Sequence, residues 1–211
     1  MSIQEKIIDL THEINEHTLP YPGDPKPEIS SVFQVERHGF GVTQVSLGTH
    51  TGTHVDAPAH VLSQGKGIGD FDPNVFFGDA VVVDVRSRKE PIGEDVLDGI
   101  QICDWLLVCT GQSTKWGTEA YFGSTPLFSE KFVRAAARLA RKGLGLDCAG
   151  LDRDGVKCHQ IWFESGGGLI VENLKDLNVL TDKQILRFAA VPLCLAANDG
   201  APVRALAFVS R

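Results

Sequence analysis

Apolar and polar positions along the chain fall into short blocks rather than long stripes. Residues 7–11 (IIDLT) form a brief apolar run that predicts a strand. Residues 17–27 carry four prolines and a Gly-Asp pair, which predicts an irregular extended loop. Alternation with β-branched residues at 42–50 (VTQVSLGTH) predicts a strand. The unbroken apolar runs at 80–85 (AVVVDV) and 105–110 (WLLVCT) predict strands covered on both faces. A helix is predicted over Ser129–Lys142, with Ser129 as N-cap, Glu130 in the first turn, Arg141 and Lys142 in the last, and Gly143 as the stop. Its apolar stripe is Phe132, Val133, Ala136, Leu139 and Ala140. Further strands are expected at 144–152, 169–174, 191–196 and 205–210, and Thr181 with Gln184 suggests a capping box for a second helix running through Phe188. Many strands, few helices and an uneven order point to an α/β fold with a mixed sheet. No linker divides the chain, so residues 1–211 are read as a single domain.

Composition narrows the classes. Hydrophobic residues at 43% and charged residues at 22% are ordinary globular usage, which excludes a disordered or fibrous chain. No apolar run is long enough for a membrane helix, and MSIQEKIIDL lacks the apolar core of a signal peptide. The formal charge of −7 makes nucleic acid and anionic membrane poor partners. Five scattered cysteines (Cys103, Cys109, Cys148, Cys158 and Cys194) suit free thiols in a reducing cytoplasm. Residues 110–117 lack the order of a P-loop, 164–169 lack a dinucleotide fingerprint, and no G-x-S-x-G elbow occurs.

The chemistry concentrates at residues 50–60, HTGTHVDAPAH. His50, His54, Asp56 and His60 all fall on even positions, with small or β-branched residues between them. Extended backbone would put these polar groups on one face, and Thr, Gly, Val and Pro argue against a helix. In a straight strand His50 and His54 would lie ~13 Å apart at Cα, too far to share one ion. The chain must therefore bend between them, and Gly52 is the residue that permits it. Two histidines and an aspartate suit zinc, manganese or iron(II). Three protein ligands leave coordination positions open, as in catalytic sites. Spacing alone leaves His60 as either a fourth ligand or an acid/base. Further along, Glu172 closes the apolar run 169–171 after three glycines and His159 follows Cys158; by residue type alone both read as structural. Trp116, Tyr121, Phe122 and Phe40 are candidates for a pocket or for the core, while His12, His17 and His38 read as incidental.

HTGTHVDAPAH resembles the H-x-G-T-H-x-D-x-P-x-H signature of the cyclase family of metal-dependent hydrolases, which includes bacterial kynurenine formamidase and isatin hydrolase. YPGDP (21–25), GDAVVVDV (78–85), LLVCTG (106–111), LGLDCAGLD (144–152) and the segment from His159 to Leu174 follow in family order. The resemblance implies a swivelling β/β/α domain assembled as a homodimer or homotetramer, holding one or two divalent ions, Zn2+ or Mn2+. It implies that His50, His54 and Asp56 ligate the first ion, with Asp56 also touching a second, that Glu172 bridges the two ions and His159 is the histidine of the second site, and that His60 is the catalytic acid/base. Tyr21 stands where kynurenine formamidases typically carry tryptophan, and Gly150 where many members carry serine. The activity implied is attack of a metal-activated water on an amide or formamide, arylformamidase-like, with N-formylkynurenine as the leading small-molecule substrate. Ring opening of a cyclic, isatin-like amide is the alternative, and a metal-holding scaffold or sensor without turnover is the alternative of another class.

Overall fold

The computed structural model describes residues 5–183, 185–196 and 199–210. In chain order its strands are β1 (Glu5–Asp9), β2 (Glu28–Phe33), β3 (Val42–Ser46), β4 (His54–Asp56), β5 (Phe77–Gly78), β6 (Ala80–Asp84), β7 (Cys103–Cys109), β8 (Ala140–Leu146), β9 (Leu169–Glu172), β10 (Ile185–Pro192) and β11 (Gly200–Ser210). Its helices are α1 (Val35–His38), α2 (Ala120–Gly123), α3 (Glu130–Leu139) and α4 (Lys157–Glu164).

One mixed sheet runs β5-β10-β11-β4-β9-β8-β7-β6, with β1 also paired to β11. Strands β6 to β9 are parallel, and the β9–β4–β11–β10–β5 half is antiparallel. The end strands β5 and β6 are separated in sequence by Asp79 alone, so the sheet curls until its two rims meet. The α/β mixed-sheet architecture expected from the pattern of strands is the one found.

Alternation along the strands sorts side chains between two cores. Trp105 and Leu107 of β7, Val171 of β9, Val55 of β4 and Phe188 of β10 fill the interior of the curl. Leu106 and Val108 of β7, Leu144 and Leu146 of β8 and Ile170 of β9 face the other way, against Phe132, Val133 and Ala136 of α3 and Ile161 and Trp162 of α4. The interior is close-packed around Trp105: a Cβ at Gly143 of β8 would collide with its ring.

Four expectations are corrected. Residues 185–192 are not a helix but strand β10, antiparallel to both β11 and β5. A strand's two-residue period buries Phe188 and Ala190, and pairing on two sides overrides local helix preference. Gln184 of the supposed capping box lies outside the described residues, and the Thr181 hydroxyl donates to the carbonyl of Asn178 instead. The predicted helix starts as expected, with Ser129 Oγ accepting from the Phe132 amide at 3.1 Å, but ends at Leu139 because Ala140–Leu146 pairs with β7. The strand expected at 42–50 stops at Ser46 and belongs to a separate two-stranded ribbon with β2, while 147–152 is a loop beyond β8. Helix α4, which carries His159, had no counterpart in the sequence reading.

Candidate metal centre

Strand β4 lies between β9 and β11, pairing His54 with Glu172 and Asp56 with Ile170. Val55 points into the curl's interior, so period-two geometry sends His54 and Asp56 to the opposite face, the side on which α4 packs. Glu172, aligned with His54, lies on that same face. Gly52 bends the chain with φ of 69°, as the spacing required, and brings His50 back beside His54, with ring centroids 5.0 Å apart. Pro58–His60 is a single 3-10 turn that returns His60 to the cluster, 4.1 Å from His50 and 6.1 Å from His159 between centroids. The expected extended face is thus a bend, three strand residues and a turn.

Five side chains converge. Ligand-capable atoms of His50, His54 and Asp56 lie within 4.8 Å of one another, and so do those of Asp56, His159 and Glu172. Asp56 is common to both groups. His50 Nδ1 is 2.7 Å from Asp56 Oδ1, His54 Nε2 is 3.2 Å from the same oxygen, and His159 Nε2 is 2.9 Å from Glu172 Oε1. Each ring is also gripped from outside. His54 Nδ1 donates to the Gly52 carbonyl at 2.9 Å, which turns its Nε2 towards the carboxylates. His159 Nδ1 donates to Asp152 Oδ2 at 2.7 Å, and Asp152 also accepts the amides of Cys158 and His159 at the start of α4. His50 Nε2 lies 3.2 Å from Asp199 Oδ2.

Burial makes this cluster electrostatically tense. Asp56 is 1% exposed and Glu172 6%. Burial raises the Asp56 carboxyl, but His50 and His54 outweigh it and hold the group well below the usual carboxylate range. Burial and the adjacent Asp56 push Glu172 upward. Burial opposes charge on His50 and His159, yet Asp56 lifts His50 to about 9, and Asp152 with Glu172 lift His159 to about 10. His60 moves the other way, lowered chiefly by burial, against the pull of Asp56. Two neighbouring buried carboxylates among imidazoles that each turn one nitrogen towards them form a borderline-to-hard donor set, which fits divalent cations.

Gly150 packs against this cluster with φ of 136°; a Cβ there would come within 2.7 Å of Glu172 Oε1 and 3.3 Å of His159 Cε1. A cavity of about 260 Å³ opens over the cluster and reaches the aromatic rings of Tyr21, Trp116 and Phe122. Of the four candidate aromatics, Trp116 and Phe122 line it. Tyr121 is buried behind them and donates to Asn173 Oδ1 at 2.8 Å, and Phe40 is exposed. His12, read as incidental, stacks on Trp116 at 4.2 Å and is pushed down to about 4 by burial and by Lys175.

Residue-level reading missed Asp152, Asp199 and Asn173. Asp152 carried a faint signal, an aspartate ahead of the helix that bears His159. Asn173, with φ of 55°, holds the Gly52 carbonyl through its Nδ2 at 2.8 Å; its place beside Glu172 was the only hint. Asp199 gave none, being 149 positions from His50.

The cyclase family model matches residues 8–153. Kynurenine formamidase of Salinibacter ruber is 31% identical over 214 residues, covering 95% of this chain and 96% of that protein. Kynurenine formamidase of Geobacillus thermodenitrificans is 29% identical over 209 residues, covering 94% and 95%. Among solved structures, a potential metal-dependent hydrolase with cyclase activity superposes with a TM-score of 0.78 at 26% identity, covering 99% of this chain and 100% of that one. Isatin hydrolase A from Ralstonia solanacearum shares the fold, with a TM-score of 0.83 at 24% identity over 98% and 92% of the two chains. The match spans both the histidine-rich bend and the sheet that carries it, and the chain belongs to the cyclase family.

Proposed function

We propose that the protein is a metal-dependent hydrolase of amide bonds, arylformamidase-like, converting N-formylkynurenine to kynurenine and formate. The observation that carries this reading is the convergence of three histidines and two buried carboxylates at a cavity that also holds His60 and three aromatic rings. In this reading His50, His54 and Asp56 hold one divalent ion, and His159 and Glu172, with Asp56 shared, hold a second. Zn2+ and Mn2+ are the ions suited to such imidazole and carboxylate donors. When bound, they supply Lewis acidity and make a water nucleophilic at neutral pH.

The chain's own residues do the rest. His60, kept neutral chiefly by burial, accepts a proton from the attacking water and delivers it to the departing nitrogen. Protonation at nitrogen is what lets the C–N bond break, because an amide anion is a poor leaving group. Tyr21, Trp116 and Phe122 offer ring faces and edges to an aryl substituent. Ring opening of an isatin-like cyclic amide is the second reading, favoured by the shared fold with isatin hydrolases; it uses the same groups but leaves both halves of the broken bond in one product.

A ribbon formed by β2 and β3 supports assembly as a homodimer or homotetramer. With the α1 connection between its strands it exposes Val32, Phe33, Val35, Phe40, Val42 and Val45, and an isolated two-stranded ribbon is marginal in water. Cys103, Cys109, Cys148 and Cys158 are buried thiols, which suits a reducing cytoplasm. No helix among the described residues is long and apolar enough to cross a membrane.

The test is turnover of N-formylkynurenine and of isatin by protein loaded with zinc or with manganese. Formate release from the formamide is the expected result. Ring opening alone selects the second reading, and a metal-replete protein inert on both, and on a panel of aryl formamides and cyclic imides, overturns the hydrolase assignment.

A further inference from the structure

His50, like His159, has a carboxylate against each of its ring nitrogens. Its Nδ1 is 2.7 Å from Asp56 Oδ1 and its Nε2 is 3.2 Å from Asp199 Oδ2. Asp199 is itself clamped. The Thr49 hydroxyl donates to the same Oδ2 at 2.7 Å, and the Asp199 carbonyl accepts the Ala57 amide at 2.8 Å, which ties this residue to the end of β4. The next residue makes room for the ring: a Cβ at Gly200 would meet the Val55 carbonyl at 2.6 Å and His50 Cε1 at 3.0 Å.

We propose that Asp199, clamped by Thr49, is a positioning residue of the metal centre, holding the Nε2 proton of His50 so that this ring offers Nδ1 to the ion. The inference rests on the reading of His50 as a ligand. An ionised carboxylate only accepts, so the nitrogen facing Asp199 keeps its hydrogen, and Nδ1, whose proton an ion would displace, is the nitrogen left to offer a lone pair. The same division of labour governs the other two rings with the nitrogens exchanged. His54 and His159 give Nδ1 to the Gly52 carbonyl and Asp152, and turn Nε2 inward. His50 sits before the Gly52 bend, approaches from the opposite side, and therefore turns Nδ1 inward. An outer carboxylate fixes the tautomer and raises ligand basicity, and losing one costs roughly 10- to 100-fold in metal affinity.

The alternative is that Asp199 ligates an ion directly, since it also falls within 4.8 Å of ligand-capable atoms of His50 and His60. The experiment measures Zn2+ affinity by chelator competition for the wild type, Asp199→Ala and Asp199→Asn. It also assigns the imidazole nitrogens of His50 by 15N NMR in the zinc-loaded wild type. The expected results are protonated Nε2 with metal-bound Nδ1 on His50, zinc binding weakened about 10- to 100-fold in Asp199→Ala, and recovery of most of that loss in Asp199→Asn, whose amide oxygen still accepts the Nε2 hydrogen. The metal-free variants should melt as the wild type does. Wild-type affinity in Asp199→Ala, or zinc on Nε2 of His50, overturns the proposal. Asparagine as damaging as alanine overturns it in favour of direct ligation. A wild type that takes no zinc fails at the earlier step, the metal reading itself. The NMR assignment needs only the wild type, so it stands even if a variant does not fold.

Discussion

At the residue scale, His60 differs from the other imidazoles of the cluster in kind. His50, His54 and His159 each have a nitrogen engaged by Asp56 or Glu172, whereas the polar contacts around His60 are not hydrogen bonds to either carboxylate, and its pKa is lowered. A group that is neutral and free to exchange protons suits acid/base work. We expect His60→Ala to lose about 10²- to 10⁴-fold in kcat while metal content, read by elemental analysis, stays near that of the wild type. Metal loss in that variant would make His60 a ligand instead. Gly150 tests the packing of the cluster. Alanine there must adopt φ of 136° and press its Cβ on Glu172. We expect Gly150→Ala to bind metal more weakly and to lose on the order of 1–3 kcal/mol of stability, checked by metal titration and thermal unfolding.

Elements explain what the sequence could and could not reveal. The bend between His50 and His54 was legible because ligand reach and strand rise conflict unless Gly52 turns, and the turn is there. The N-cap at Ser129 was legible because capping is local. We expect Ser129→Ala to cost about 1 kcal/mol, read as a lower unfolding midpoint with turnover unchanged. Strand β10 was misread because its residues satisfy a helix locally, and only its two neighbours β5 and β11, far apart in sequence, make it a strand. Helix α4 was missed for a similar reason: its start is organised by Asp152, whose carboxylate takes the amides of Cys158 and His159 across an irregular stretch. His159 and Glu172, which residue type alone left as structural, gain their meaning from tertiary contact, their side chains meeting at 2.9 Å. The resemblance in motif order singled them out as expected ligands; periodicity could not.

Over the whole molecule, the cluster couples metal uptake to pH. Without metal, His50 and His159 are raised to about 9 and about 10, chiefly because Asp56, Asp152 and Glu172 outweigh their burial. Both therefore hold a second proton at neutral pH, and an ion must displace it to gain a lone pair. Acid then competes with metal, so affinity should fall as pH drops from 9 towards 6 and protons should be released on binding. Calorimetry of zinc binding at pH 7 in two buffers of different ionisation enthalpy checks this; identical heats would show that no proton is displaced.

The closure of the sheet has a mechanical side. Asp79 is the one residue of chain between the two rims, so the curl resembles a hoop fastened by a short clasp, with the Lys142 amine donating to the Phe77 carbonyl at 2.6 Å across the same join. Strands β4 and β9, which carry His54, Asp56 and Glu172, occupy the middle of the strand order, as far from that clasp as the ladder allows. Breathing or insertion at the fastening would be absorbed first by β5 and β6, and the strands that carry the candidate ligands are the last part of the hoop to feel it open.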